Sequence, residues 1–515
     1  MTTQIINGRV LTPMGWVEGG SVLIEGTRIK SILNHSRHID GVDKVIDARG
    51  NYVLPGGIDI HVHGGGGRDF MECTEDAFVT AVEAHRRHGT TSIFPTLSSS
   101  TVPMIREAAA TCQKLMADPM SGVLGLHLEG PYFNPKMAGG QLPENIKVPT
   151  PEEYKPIIED FTSIRRWDAA PELPGAEEFA TYLRSKGILA SLGHTAATYK
   201  DVEKGYRAGF THATHFYNAM TGNHKEGPYK HEGTVESVYL IDGITVEMIA
   251  DGIHVPSMML RLIWKQKGVE RTALITDALA CAASDSKTAF DPRVIIENGV
   301  CMLADHSAIA GSIATMDRLV RTAVQQAGIP LEDVSRMASE TPARIMGVYD
   351  RKGSLAPGKD ADIMMFDADL NLTVFQHFDC LPCVTFAHHR VQILVDRQRI
   401  EIVRRQVEDK CRSRDADAQP VFYRVARSQR IDAFQLADDA LGVLQKNCTA
   451  LGRANALAGP LKNLEAEVRL HLMQNAAEVR LADEQIFRRL GNGAGSFYFN
   501  QILQMLRIHS ISPII

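Results

Sequence analysis

The residues best suited to chemistry are histidines and carboxylates that each close or follow a short apolar run. In Ile58-Asp59-Ile60-His61-Val62-His63 polar and apolar side chains alternate. An extended chain has a side-chain period of two, so Asp59, His61 and His63 share one face and the two histidines can reach one ion. Glu129 follows the run 123–128, and His194 follows 188–193. His215 closes the run that begins at Thr211, His254 follows the run ending at 250, and Asp277 follows 273–276. Each has a plainer reading alone. A strand-end histidine is usually a surface group, an aspartate there often caps a helix, and Glu129-Gly130-Pro131 is turn chemistry. Together on one rim they share no such explanation. Imidazoles with carboxylates form the ligand set of zinc, iron or related divalent ions.

The elements that must position these residues alternate. Apolar strands are expected at 58–63, 91–96, 123–128, 164–169, 188–193, 211–215, 244–250 and 272–276, with helical patterns at 75–88, 103–117, 176–186, 198–208 and 255–267. Strand then helix, about eight times, is the arithmetic of an α/β fold built as a (β/α)8 TIM barrel, whose chemistry sits at the C-terminal ends of its strands. An open doubly wound sheet is the alternative. Residues 1–55 read as short strands with hairpin punctuation at Asn7-Gly8 and Gly19-Gly20, and a similar signature returns at 353–367. A small β-sandwich domain formed from both chain ends accounts for this. The expected organisation is β-sandwich over 1–55, catalytic barrel over 56–345, β-sandwich again over 346–385 and a helical C-terminal tail over 386–515. The tail differs in composition. Residues 401–515 hold 16 Lys+Arg against 13 Asp+Glu, and only 6 of the 42 glycines, and 463–490 reads as one amphipathic helix.

Composition narrows the class. The 515 residues are 44% hydrophobic and 23% charged, which excludes a disordered or fibrous chain. A net charge of −6 offers no basic field for nucleic acid. No leader pattern opens the chain and no apolar run is long enough for a membrane span. Eight irregularly spaced cysteines make no disulfide framework, so a cytoplasmic protein is expected. His63-Gly64-Gly65-Gly66 could be an oxyanion stretch, but no G-x-S-x-G supplies a serine nucleophile. The glycines read as a close backbone turn beside a ligand. No Walker motif is present, and Cys380-Leu381-Pro382-Cys383 lacks a second pair.

At this point the residues show a resemblance. Gly56-Gly57-Ile58-Asp59-Ile60-His61-Val62-His63, with 340–347 and 353–362, is similar to the opening and closing segments of the amidohydrolase superfamily. Within it, the blocks at 126–135, 191–198, 212–220, 250–255 and 274–279 resemble the N-acetylglucosamine-6-phosphate deacetylase family over about residues 1–375. The resemblance implies Glu129, His194 and His215 as ligands of a principal metal, with His61 and His63 able to hold a second, and Asp277 as catalytic acid/base. It implies a phosphosugar site at Asn218, Ala219, a basic loop residue and His254. Two departures are visible: Gln141 stands where the family usually places a histidine, and Lys225 where it places an arginine. Lysine offers charge without a bidentate fork.

The implied reaction is hydrolysis of the N-acetyl group of an amino-sugar phosphate by an enzyme carrying one or two divalent ions, zinc or iron. Asp277 would take a proton as activated water attacks, then deliver it to the departing amine. The small-molecule substrate would be the main partner, with no nucleic acid or membrane, and the chain would form a homo-oligomer. The rivals are an amidohydrolase for another N-acyl or cyclic amide, and a metal-free scaffold of the same fold.

Overall fold

The structure is a computed structural model. It describes residues 1–286 and 288–377, all within the first of the chain's two compact units, Met1–Leu394. The expected helical tail, the 463–490 helix and Cys380/Cys383 lie outside the described residues.

The fold is α/β. Eight parallel strands form one sheet, in the order in which the chain makes them. They are Gly57–Val62, Thr90–Leu97, Leu126–Tyr132, Ile164–Ala169, Leu189–Leu192, Phe210–Ala213, Thr245–Ile249 and Thr272–Ile275. Most of their residues are buried, as strands covered on both faces must be. Each strand still alternates. One face carries Asp59, His61, His127, Glu129, Arg166, Asp168, His212, Thr214, Glu247 and Thr276, all buried. The other packs Val62, Leu128, Trp167, Val246 and Leu274 into the main apolar core.

Helices cover the apolar face. Glu75–Arg86, Val102–Met116, Ala176–Ser185, Tyr199–Ala208 and Ser257–Lys267 follow the patterned stretches closely. Their ends obey local chemistry. Thr198 and Asp201 form a capping box at the start of Tyr199–Ala208. Trp167 stacks on Tyr132 with centroids 5.5 Å apart and meets Phe179 edge-on at 5.4 Å. Its indole N–H donates to the Gly130 carbonyl at 2.8 Å, so the aromatic cluster pins the residue after Glu129.

The strand expected at 123–128 is shifted along the chain. It begins at Leu126 and continues through Glu129-Gly130-Pro131 to Tyr132, so Glu129 is inside the strand. Gly130 takes φ +88°, a conformation open to glycine, and the extended chain passes through the pair read as a turn.

A seven-stranded sheet joins distant parts of the chain. Asp362–Phe366 pairs antiparallel with Tyr52–Pro55, which pairs with Thr2–Thr12. Leu372–His377 extends the sheet beyond Asp362–Phe366. Its core is Ile5, Val10, Val22, Val53, Ile363 and neighbours. A three-stranded antiparallel sheet, Val294–Glu297, Val300–Leu303 and Ile309–Ser312, follows the last parallel strand. It attaches at Asp277: Ser312 N–H donates to Asp277 O at 2.8 Å, and Leu279 N–H to Ser312 O at 3.0 Å. Among the described residues no helix is long and apolar enough to cross a membrane.

Candidate metal centre and active site

The polar groups converge at the C-terminal ends of the parallel strands. Glu129 Oε1 lies 3.0 Å from both His194 Nε2 and His215 Nε2, and those two nitrogens are 3.1 Å apart. His61 Nε2 and His63 Nε2 are 3.3 Å apart, and His63 Nε2 is 3.4 Å from Glu129 Oε2. Glu129 thus belongs to two groups able to hold a metal ion: Glu129/His194/His215 and His61/His63/Glu129. Asp277 Oδ1 approaches His63 Nε2 at 3.2 Å and His61 Nε2 at 3.5 Å. All six side chains are buried.

The strand ends aim these groups at a conformational expense. His194, His215 and Asp277 take φ of +47°, +29° and +48°, in the left-handed region that side chains with a Cβ avoid. Tyr217 and Ala219 do so too, so five of the twelve such non-glycine residues among the described ones lie on this rim. Strain of this kind survives only where the surroundings over-determine it. Here Asp277 N–H donates to His61 O at 2.9 Å, Asn134 N–H to His194 O at 3.0 Å, and Thr195 N–H to Ala219 O at 3.1 Å. Phe133 stacks on the His194 ring at 4.3 Å.

The electrostatics favour a bound cation. Burial opposes charge on His63 and His215, yet Asp277 and Glu129 overcome it and lift both imidazoles to about 9. Burial likewise opposes the Glu129 carboxylate, but His194 and His215 hold it well below the usual range. Asp277 is also depressed: burial raises it and the His63 hydrogen bond outweighs that. A cluster that draws positive charge this strongly, with imidazole nitrogens pointing at one another, fits a divalent ion. The tautomers agree. His194 Nδ1 donates to Met137 O at 2.8 Å and His61 Nδ1 to Glu247 Oε2 at 2.9 Å, which leaves both Nε2 atoms free to face an ion.

The other expected site residues divide. Gln141 is buried beside the centre. Its Nε2 donates to Glu129 Oε2 at 2.7 Å and its Oε1 accepts Ser99 N–H at 2.7 Å, so it clamps the shared carboxylate. Asn218 is half-buried, with its N–H on His215 O at 2.9 Å. His254 is held through Nδ1 by Asp251 Oδ2 at 2.7 Å. Lys225 is exposed on the hairpin His224–Glu226/Tyr229–His231, away from the buried groups. The glycine run meets protein. A Cβ on Gly64 would come within 2.3 Å of Arg68 O, and one on Gly65 within 2.8 Å of the His85 ring. His63 and Gly64 N–H both donate to Ala278 O, at 2.8 and 3.0 Å, so the run fixes the loop after Asp277 against the first strand.

Sequence reasoning missed the buried layer beneath the histidines. Arg166 pairs with Asp168 at 3.1 Å and with Glu247. His127 Nε2 lies 2.9 Å from Asp168 Oδ2, and Thr214 Oγ1 donates to the same oxygen at 2.7 Å. One signal was available. A charge in a strand buried on both faces must be paired, and Arg166-Trp167-Asp168 and Val246-Glu247-Met248 alternate like the ligand strand.

With this geometry in place, the comparisons agree. The amidohydrolase family model matches residues 52–387. An N-acetylglucosamine-6-phosphate deacetylase of Bacillus subtilis is 32% identical over 368 residues, covering 70% of this chain and 92% of that protein. An N-acetylgalactosamine-6-phosphate deacetylase of Escherichia coli is 32% identical over 381 residues, covering 72% of this chain and 97% of that protein. The crystal structure of N-acetylglucosamine-6-phosphate deacetylase from Pasteurella multocida matches with a TM-score of 0.69 at 30% identity, over 73% of this chain and 98% of that one.

Proposed function

The chain belongs to the amidohydrolase family, and from that premise we propose that it hydrolyses the N-acetyl group of N-acetylglucosamine 6-phosphate to glucosamine 6-phosphate and acetate. The observation that carries the reading is the meeting of His194 and His215 on Glu129, with Asp277 facing the same centre. We assign Glu129, His194 and His215 as ligands of one ion, zinc or iron, and His61 and His63 with Glu129 as ligands of a second. We also read the parallel sheet as a closed (β/α)8 barrel and the mixed sheet as part of a small β-sandwich. Closure is supported by Asp277 N–H on His61 O and by Thr276 Oγ1 donating to Asp59 Oδ2 at 2.5 Å, both between the first and last strands. We propose domain boundaries of 1–55, 56–345, 346–385 and 386–515.

An amide is a poor electrophile with a poor leaving group. A divalent ion in this centre supplies Lewis acidity, lowering the pKa of water and polarising the carbonyl. Asp277 supplies the proton traffic. Its carboxylate accepts a proton from the attacking water and returns it to the amine nitrogen as the C–N bond breaks. Gln141 keeps Glu129 from rotating away. Asn218 and Ala219 offer main-chain groups to the sugar. His254, oriented by Asp251, and Lys225 are assigned to the phosphate, which carries close to two negative charges at neutral pH. Such a charged substrate fits a cytoplasmic enzyme. A homo-oligomer is proposed, with exposed Tyr229, Leu240 and Met258 as apolar surface for it.

A second reading has a specific observation behind it. A relative as similar as 32% carries the N-acetylgalactosamine-6-phosphate deacetylase name, so the epimer at C4 is the competing substrate. Acetate release from both sugar phosphates and from unphosphorylated N-acetylglucosamine, measured beside metal content, tests the proposal. The glucosamine phosphate should be turned over fastest. His194→Ala and His215→Ala should lose most metal and nearly all turnover, and either variant with full occupancy and rate would falsify the assignment.

A further inference from the structure

Glu247 lies in the strand Thr245–Ile249 and touches no position expected of substrate. It is wholly buried, and its two oxygens have different tasks. Oε1 pairs with Arg166 and lies 3.5 Å from His212 Nε2. Oε2 accepts from His61 Nδ1 at 2.9 Å and from the His215 main-chain N–H at 2.8 Å. His61 belongs to one ligand group and His215 to the other.

We propose that Glu247 is a positioning residue shared by both ligand groups, fixing the tautomer of His61 and the backbone of His215 through one oxygen. The inference rests on the metal-centre reading above. An acceptor at Nδ1 requires the ring proton there, so His61 must present Nε2 to the ion. Among the described residues no other group meets His61 Nδ1. Among the described residues the neighbouring His63 Nδ1 meets only the Ser98 hydroxyl, at 3.3 Å, which can donate or accept. The dependence of His215 is of another kind. Its buried Nδ1 has no hydrogen-bond partner among the described residues, so no contact at that nitrogen orients the ring as Glu247 orients His61. What holds it is its main chain, at φ +29°, anchored by N–H on Glu247 Oε2. The Phe216 N–H on Glu247 O, at 3.0 Å, anchors the next residue to the same strand.

The plainer role, a counter-charge for Arg166, does not account for Oε2. Arg166 already has Asp168, with Nε–Oδ1 at 3.1 Å and a second contact at 3.2 Å, and it reaches Glu247 through Oε1. Arg166 instead fixes the carboxylate, so that its second oxygen is held where both histidine contacts need it.

Glu247→Gln keeps the size and one acceptor oxygen but cannot serve Arg166 and both histidine contacts. Partners of ligating histidines typically change metal affinity by about 10- to 100-fold. Zinc should therefore bind metal-stripped Glu247→Gln at least ~10-fold more weakly than the parent by calorimetry. The cobalt-loaded variant should show an altered visible spectrum. A residue with only a structural role would shift the melting temperature and leave zinc affinity and the cobalt spectrum alone. A measurement on the zinc-loaded parent needs no variant: ¹⁵N-imidazole NMR should place the His61 proton on Nδ1 and zinc on Nε2. If the parent binds no zinc, the metal-centre reading fails. If the parent binds zinc while folded Glu247→Gln matches it, or zinc sits on His61 Nδ1, only the role of Glu247 is overturned. Should the variant not fold, the NMR result decides.

Discussion

At the residue scale the centre is a set of opposed charges, and Asp277 is the one to which we assign proton transfer. Its Oδ1 sits 3.2 Å from His63 Nε2, yet it belongs to neither ligand group. Asp277→Asn keeps the shape and removes the base. Turnover should fall by roughly 10²- to 10⁴-fold, the range for a general acid–base residue, while metal content stays at the parent value. Loss of metal in step with turnover would make Asp277 a ligand instead. Of the six residues of the centre, Glu129, His194, His215 and Asp277 were legible because each ends or follows an apolar run, and His61 and His63 because two histidines at period two have few innocent uses. Gln141 was legible as a position but not as a contact: the sequence places it in a loop, and only the fold turns its amide onto Glu129. Arg166, Asp168 and Glu247 were not legible as a network. Their meaning depends on which strands are neighbours, and a strand's charged residue looks alike on an exposed face and inside a sheet.

At the element scale, strands and helices were read well where period and length agree, as at Ile164–Ala169 and Ser257–Lys267. The third strand slipped because Gly-Pro reads as a stop, although Gly130 at φ +88° carries the chain onward. One helix end makes a pH prediction. Lys267 closes Ser257–Lys267, and its Nζ donates to Val238 O at 2.9 Å and Ile241 O at 3.3 Å, at the end of the helix Thr234–Leu240. Burial pushes its pKa down from 10.5 to about 8. The folded chain therefore gives up this proton before the unfolded chain does. Between those two values the unfolded state binds more protons, so stability should rise with pH. The contribution should vanish in Lys267→Met, seen as a flatter melting-temperature profile from pH 8 to 10.5. Equal slopes in parent and variant would contradict it. The hairpin His224–Glu226/Tyr229–His231 makes a second prediction. Its Lys225 is assigned only to the phosphate, so Lys225→Ala should raise KM for N-acetylglucosamine 6-phosphate by several-fold and leave the unphosphorylated sugar unchanged. An equal change for both sugars would remove Lys225 from the phosphate site.

At the scale of the whole molecule, the centre depends on strands brought together from Gly57 to Ile275, and the mixed sheet on pairing between Tyr52–Pro55 and Asp362–Phe366. Long-range pairing of this kind is what a single sequence conceals, because pattern marks a strand but not its partner. The return of strand signatures near 353–367 hinted at it, and so did the resemblance. The family match ends at residue 387, and the relatives described above are covered over 92% and 97% of their own lengths by about 70% of this chain. The proposed centre, its buried layer and every described strand of both sheets lie at or before His377. Residues 401–515 differ in charge balance and glycine content from what precedes them and contribute no residue to the proposed site. A chain ending at residue 400 should therefore keep the parent's metal stoichiometry and deacetylate the sugar phosphate at a comparable rate per ion bound. Metal analysis, acetate release and melting temperature on the shortened protein are the measurements. An insoluble product, or a soluble one without metal, would mean that the segment after 400 completes the fold or a contact between subunits that the centre requires.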